Sequence, residues 1–150
     1  AHEGLPLHHF KLHGALFMHA ARNGEFARAL CRALARVAPT LPIYCLAGTA
    51  IDQAADEAGL ARIHEFYADR DYDDEGSIVF VRKVAPLDSE HVARKVLKAC
   101  NEGVVESVSG RLVPVSFQSI CIHSDTPGAL SLVRAVRHAL DRSGYVVQAP

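Results

Sequence analysis

The sequence contains no apolar run approaching the roughly 20 residues that a membrane-spanning helix needs. No basic stripe is present: 16 Lys and Arg stand against 17 Asp and Glu, for a net charge of −1, so nothing in the charge pattern points to nucleic acid. Cysteine is sparse. Cys31, Cys45, Cys100 and Cys121 lie far apart with no C-x-x-C pair, which excludes zinc-finger spacing and argues against a disulfide framework. Three of them, Cys31, Cys45 and Cys121, sit among apolar residues and read as reduced core thiols, which suits a cytoplasmic location. H-E-x-x-H, Walker, G-x-S-x-G and Rossmann glycine patterns are all absent. So are internal repeats, low-complexity tracts and a signal-peptide pattern. The chain opens Ala1-His2-Glu3-Gly4-Leu5-Pro6, without an initiator Met, and runs almost at once into a strand. The expectation is a piece of something longer.

What is present fits one globular α/β domain. A hydrophobic content of 49% in 150 residues is enough to build a core, and 22% charge is too little for disorder. Strand patterns are expected at Leu7–Leu12, Pro42–Ala47, Arg62–Ala68 and Phe117–Ile122, the last the most apolar. Shorter extended pieces are expected at Ser77–Val81 and Tyr145–Val147, and a hairpin around Ser109-Gly110. Between them run helical periods. One is capped by Asn23 and shows Phe26, Leu30, Leu34 and Val37. A second is capped by Thr49 and ends at Gly59. A third runs from Asp88 to about Asn101, with Val92, Val96 and Ala99 on one face. The last is opened by Thr126-Pro127 and carries Leu130, Val133, Val136 or Arg137, and Leu140. Strands alternating with helices imply parallel βα units.

Three strand patterns run out into ionisable residues, where a rigid α/β scaffold exposes its chemistry. The first yields Lys11 and His13. The second, H-E-F-Y-A-D-R from His64, yields Glu65, Asp69 and Arg70. The third yields His123 and Asp125. His13 and His123 suit acid–base work, and Asp125 suits either a helix cap or a partner for His123. Glu65, inside a strand, needs a partner, for which Arg70 is the obvious candidate. Asp71, Asp73, Asp74 and Glu75 read as solvated loop. They fail the calcium-loop pattern, with Asp74 at its sixth position and Phe80 at its twelfth. His8, His9, His19, His91 and His138 read as surface or supporting residues.

In series, K-L-H-G-A-L-F at Lys11–Phe17, E-F-Y-A-D-R-D-Y-D-D-E-G at Glu65–Gly76 and C-I-H-S-D-T-P-G-A at Cys121–Ala129 resemble the LamB/YcsF family. Order and spacing agree along nearly the whole chain. Departures are Leu12 for Pro, Met18 for Asn, Tyr67 beside the usual Phe position and Ser124 for Gly, and the family's N-terminal motifs are not in this sequence. The resemblance implies the C-terminal part of a parallel, seven-stranded (β/α) barrel of the glycoside hydrolase/deacetylase type, as a single domain over residues 1–150. N-terminal strands would be missing, leaving an open sheet edge. It implies ATP-dependent opening of 5-oxo-L-proline to L-glutamate, with 5-oxoprolinase B and C subunits as partners. Phosphorylating the lactam oxygen makes it a leaving group, so that water can attack the ring carbon. The expected roles are catalytic for His13, Glu65, His123 and Asp125, and substrate-binding for Lys11, Asp69 and Arg70. A divalent metal is an additional expectation. The alternatives are a metal-dependent hydrolase or deacetylase, with His13, His123 and Asp125 as ligands, and a non-catalytic family member.

Overall fold

The computed structural model describes Gly4 and residues 6–149. The opening that reads as a cut, Ala1–Pro6, falls largely outside the described residues. The elements are β1 (Phe10–Lys11), α1 (Gly14–Arg22), α2 (Gly24–Val37), β2 (Ile43–Cys45), α3 (Ala50–Glu57), β3 (Arg62–Tyr67), α4 (Ser89–Glu102), β4 (Val104–Glu106), β5 (Leu112–Pro114), β6 (Ser119–Cys121) and α5 (Ala129–Arg142). This is an α/β fold with parallel strands and, among the described residues, five α-helices. The chain divides into two compact units between Glu65 and Phe66, inside β3.

In the first unit the strands run parallel in the order β1-β2-β3. Lys11 is in register with Tyr44, Tyr44 with Ile63, and Cys45 with His64. Helices α1, α2 and α3 pack on one another, each burying a narrow stripe. In α2 the stripe is Ala27, Cys31 and Leu34. Phe26 and Leu30 flank it half-buried and Val37 is exposed, so the apolar face lies one residue round from the expected one. Asn23 does cap this helix, its Oδ1 accepting the Phe26 N–H at 2.9 Å. Helix α1 has no sequence-level start signal. Its cap residue His13 makes no side-chain cap bond and its first turn holds no acid. It forms because Phe17, Ala20 and Ala21, at i, i+3 and i+4, are buried together.

In the second unit the end of β3 neighbours β6, the Ala68 N–H donating to the Cys121 carbonyl at 3.0 Å. Asp88 caps α4 through the Glu90 N–H, and Gly103 ends it at φ +66°, a left-handed conformation in which a side chain would be strained. The hairpin forms as expected, with β4 antiparallel to β5. Four expectations need correction. Only Ser119–Cys121 of the most apolar run is strand, and all three residues are half-buried. Helix α5 starts after Pro127, with Gly128 at its cap, and buries Leu132, Val136 and Leu140, while Leu130 and Val133 are exposed. Tyr145–Val147 forms no strand, and Ser77–Val81 contributes a single bridge, Ile78 to Tyr72. None of the helices among the described residues is long and apolar enough to cross a membrane.

Candidate functional site

The sequence-predicted residues fall into two constellations, one in each unit. In the first, the register of the three strands puts Lys11, Tyr44, Ile63 and, two residues on, Glu65 on the same face. The Lys11 Nζ lies 5.7 Å from the centre of the Tyr44 ring and donates to Glu65 Oε1 at 2.5 Å. The Glu65 side chain is 2% exposed. Lys11 therefore partners this buried carboxylate, while the expected Arg70 pairs with Asp69 and Asp125 instead. A cation that reaches across a neighbouring strand cannot be foreseen from positions 54 residues apart. His13 lies in the first unit, exposed, at the N-cap of α1, where its carbonyl accepts the Phe17 N–H.

The second constellation is centred on Asp69, just past β3, whose side chain has no exposed surface. Its Oδ2 accepts from the His123 backbone N–H at 2.9 Å, from the Thr126 hydroxyl at 2.5 Å and from Arg70 Nη1 at 3.0 Å. Its Oδ1 faces His123 Nδ1 at 2.9 Å. Burial pushes the Asp69 carboxyl up, but the hydrogen bonds from His123 and Thr126 outweigh it and hold the pKa at about 2. An ionised Asp69 can only accept, so His123 Nδ1 carries a proton and donates it, which turns Nε2 away from the carboxylate. The imidazole lies nearly parallel to the Tyr67 ring, with centroids 5.4 Å apart, and is about one third exposed. The arrangement is a buried carboxylate orienting an accessible imidazole, which can accept a proton at Nε2.

The carboxylate that orients His123 is thus Asp69. Asp125, expected either there or as a helix cap, does neither: its side chain is 81% exposed and meets Arg70 Nη2 at 3.4 Å. Arg70 is bound at its other end to the Asp69 carbonyl and the Thr126 hydroxyl. The acidic loop is more structured than a solvated tail. Asp73 Oδ1 accepts from the N–H groups of Glu75 and Ser77, and Asp74 from the hydroxyls of Ser107 and Ser109.

Two participants escaped sequence reading. Thr126 looked like the start of a helix but is buried and completes the Asp69 shell. Lys95, on α4, donates to the carbonyls of Ala68 and Arg70, on either side of Asp69. Its Nζ also lies 5.1 Å from the Tyr72 ring centre. Burial lowers its pKa to about 8, against the attraction of Asp71 and Asp69. A lysine within an otherwise ordinary amphipathic helix gives no signal of this in sequence.

Parallel strands that run out into ionisable side chains, with a buried carboxylate clamping an imidazole just past β3, place the chain among the α/β proteins. The particular family follows from comparison with known proteins. The chain belongs to the LamB/YcsF family, whose sequence pattern matches residues 1–150. It is 52% identical over 148 residues to the 5-oxoprolinase A subunit numbered 1 in Pseudomonas putida, covering 99% of this chain and 59% of that protein. It is 40% identical over 151 residues to the 5-oxoprolinase A subunit of Thermus thermophilus, covering 98% and 60%. The fold matches the crystal structure of a lactam utilization protein from Thermus thermophilus with a TM-score of 0.88 at 39% identity, over 99% of this chain and 60% of that one. The chain spans about three fifths of the length of the relatives it matches.

Proposed function

We propose that this chain is part of a 5-oxoprolinase A subunit that opens 5-oxo-L-proline to L-glutamate with ATP, and that it works with B and C subunits. The names of its relatives support the substrate and the subunit role. The observation that carries the chemistry is the Asp69–His123 pair. A five-membered lactam is a stable amide, and water attacks its carbon only if the water is deprotonated and the lactam oxygen is activated. His123 Nε2 is the base for that water, with Asp69 holding the ring and stabilising the imidazolium that forms. Phosphate transfer from ATP to the lactam oxygen needs cations, and Lys11 and Arg70 supply them. His13 is the acid for the leaving nitrogen, whose departure from the hydrated, phosphorylated carbon leaves an acyl phosphate that a second water hydrolyses to L-glutamate and phosphate, while Glu65 sets the position of Lys11. Asp125 holds the outer end of Arg70.

We read residues 1–150 as one portion of a single seven-stranded barrel domain. The half-buried β6 fits that reading. So does a cavity of about 1100 Å³ in the second unit, lined by Phe117, Ile120, Val136 and Val146 among others, which offers apolar surface to further structure.

The test is 5-oxoproline-dependent glutamate release by the full gene product, with ATP and the partner subunits. His123→Ala is expected to lower turnover by about 10²–10⁴-fold, the weight of one general base. His138→Ala, well inside α5, should leave it unchanged. A folded His123→Ala protein with near wild-type turnover would overturn the assignment.

A further inference from the structure

A second cluster of reactive side chains lies in the first unit, and the lactam chemistry does not use it. Cys45 and His64 are register partners on adjacent parallel strands, so their side chains leave the same face of the sheet. Asp52, in the first turn of α3, comes to meet them. Its Oδ1 lies 2.7 Å from His64 Nε2 and 3.7 Å from Cys45 Sγ. One ligand atom from each residue fits within a sphere of mutual distances no greater than 4.8 Å. Cys45 has no exposed surface, Asp52 is 8% exposed and His64 is half-buried, so the cluster is sheltered but open on the imidazole side.

This is not the arrangement of a cysteine nucleophile. That chemistry places the imidazole between thiol and carboxylate, so that the base can take the thiol proton. Here the carboxylate lies between the other two. Burial first, then the Asp52 charge, pushes the Cys45 thiol well above its ordinary value, so on its own it stays protonated and unreactive.

We propose that Cys45, Asp52 and His64 bind one divalent transition-metal ion of the zinc class, with water in the fourth position. The donor set of thiolate, imidazole and carboxylate is the one such borderline ions take. Tetrahedral coordination at about 2.0–2.3 Å from the metal requires only small side-chain shifts from the present spacing. Asp52 is already aimed, because its Oδ2 accepts the Gly48 N–H at 2.8 Å and leaves Oδ1 pointing into the cluster. One cation competes. Arg62 Nη1 lies 3.3 Å from the same Oδ1, but its Nη2 is 2.7 Å from Asp56, a ready acceptor when Oδ1 is taken. Charge balances in the exchange. The ion enters with two positive charges, Cys45 releases its proton to solvent, and Arg62 turns to Asp56. The bound ion would pin α3 to β2 and β3.

The test is titration of the metal-free full chain with Co²⁺, read by the thiolate-to-cobalt absorption band and the visible bands of tetrahedral cobalt. Saturation at one equivalent with both features is expected. Cys45→Ser should abolish the thiolate band. Asp52→Asn and His64→Gln should each weaken binding by at least the roughly 10–100-fold that losing even an outer-shell partner costs a metal site. Arg62→Gln distinguishes a metal site from a plain ion-pair network, since removing the competing cation should tighten Co²⁺ binding. Cys100→Ser and His138→Ala are controls that should change nothing. No thiolate band in the wild-type chain, an unchanged band in Cys45→Ser, or weaker binding in Arg62→Gln would each overturn the proposal. Because His64 is half-buried, His64→Gln keeps the test decisive if Cys45→Ser fails to fold.

Discussion

Glu65 and Asp69 stand four residues apart on the same strand and its exit, both buried, yet each unit satisfies its carboxylate differently. Glu65 takes the ammonium of Lys11, delivered by a long flexible side chain across a neighbouring strand. Asp69 takes a backbone N–H, a hydroxyl, a guanidinium and an imidazole, all converging from residues next to it in the chain or from the 123–126 segment. A flexible cation can follow a substrate and come back. A carboxylate held by four short donors cannot move. That difference suits Lys11 to contact with a ligand, and Asp69 to holding another residue still.

Three measurements can break or sharpen this comparison. The largest effect is expected for Asp69→Ala, which strips the shared acceptor from several buried donors. It should cost about 3–5 kcal/mol in chemical denaturation. A loss under about 1 kcal/mol would mean the shell reorganises freely and Asp69 is no anchor.

Next comes acid. The Asp69 pKa is held at about 2, below the ordinary 3.8. Its stabilisation, roughly 2–2.5 kcal/mol, is therefore fully present above about pH 4 and lost as pH falls towards 2. Denaturation midpoints of the wild-type chain should fall through that window, and those of Asp69→Asn should fall less steeply. Parallel curves for the two would assign the acid sensitivity to other carboxylates.

The smallest effect is expected for Lys11→Met, about 1–2 kcal/mol near neutral pH, because it removes one donor from Glu65 and leaves an apolar stem of similar length in its place. Lys11→Met with Glu65→Gln should recover most of that loss. A double variant no more stable than Lys11→Met would show that Glu65 matters to the fold apart from its cation.

The sequence by itself determined a good deal. Local signals were sufficient for the Asn23 and Asp88 caps, the left-handed turn at Gly103 and the hairpin around Ser109-Gly110, since each depends on residues a few positions apart. The same holds for the three strand exits that carry the family's motifs, because a motif is contiguous and register does not enter. Only the tertiary structure decided which charges meet. That Lys11 reaches Glu65, that Asp69 and not Asp125 clamps His123, that Thr126 and Lys95 support the Asp69 turn, and that Cys45, Asp52 and His64 converge are all matters of strand register and helix placement. Helix α1 belongs with them. Lacking a cap, it exists by burying Phe17, Ala20 and Ala21, and burial is decided by what packs against a segment, which its own residues do not record.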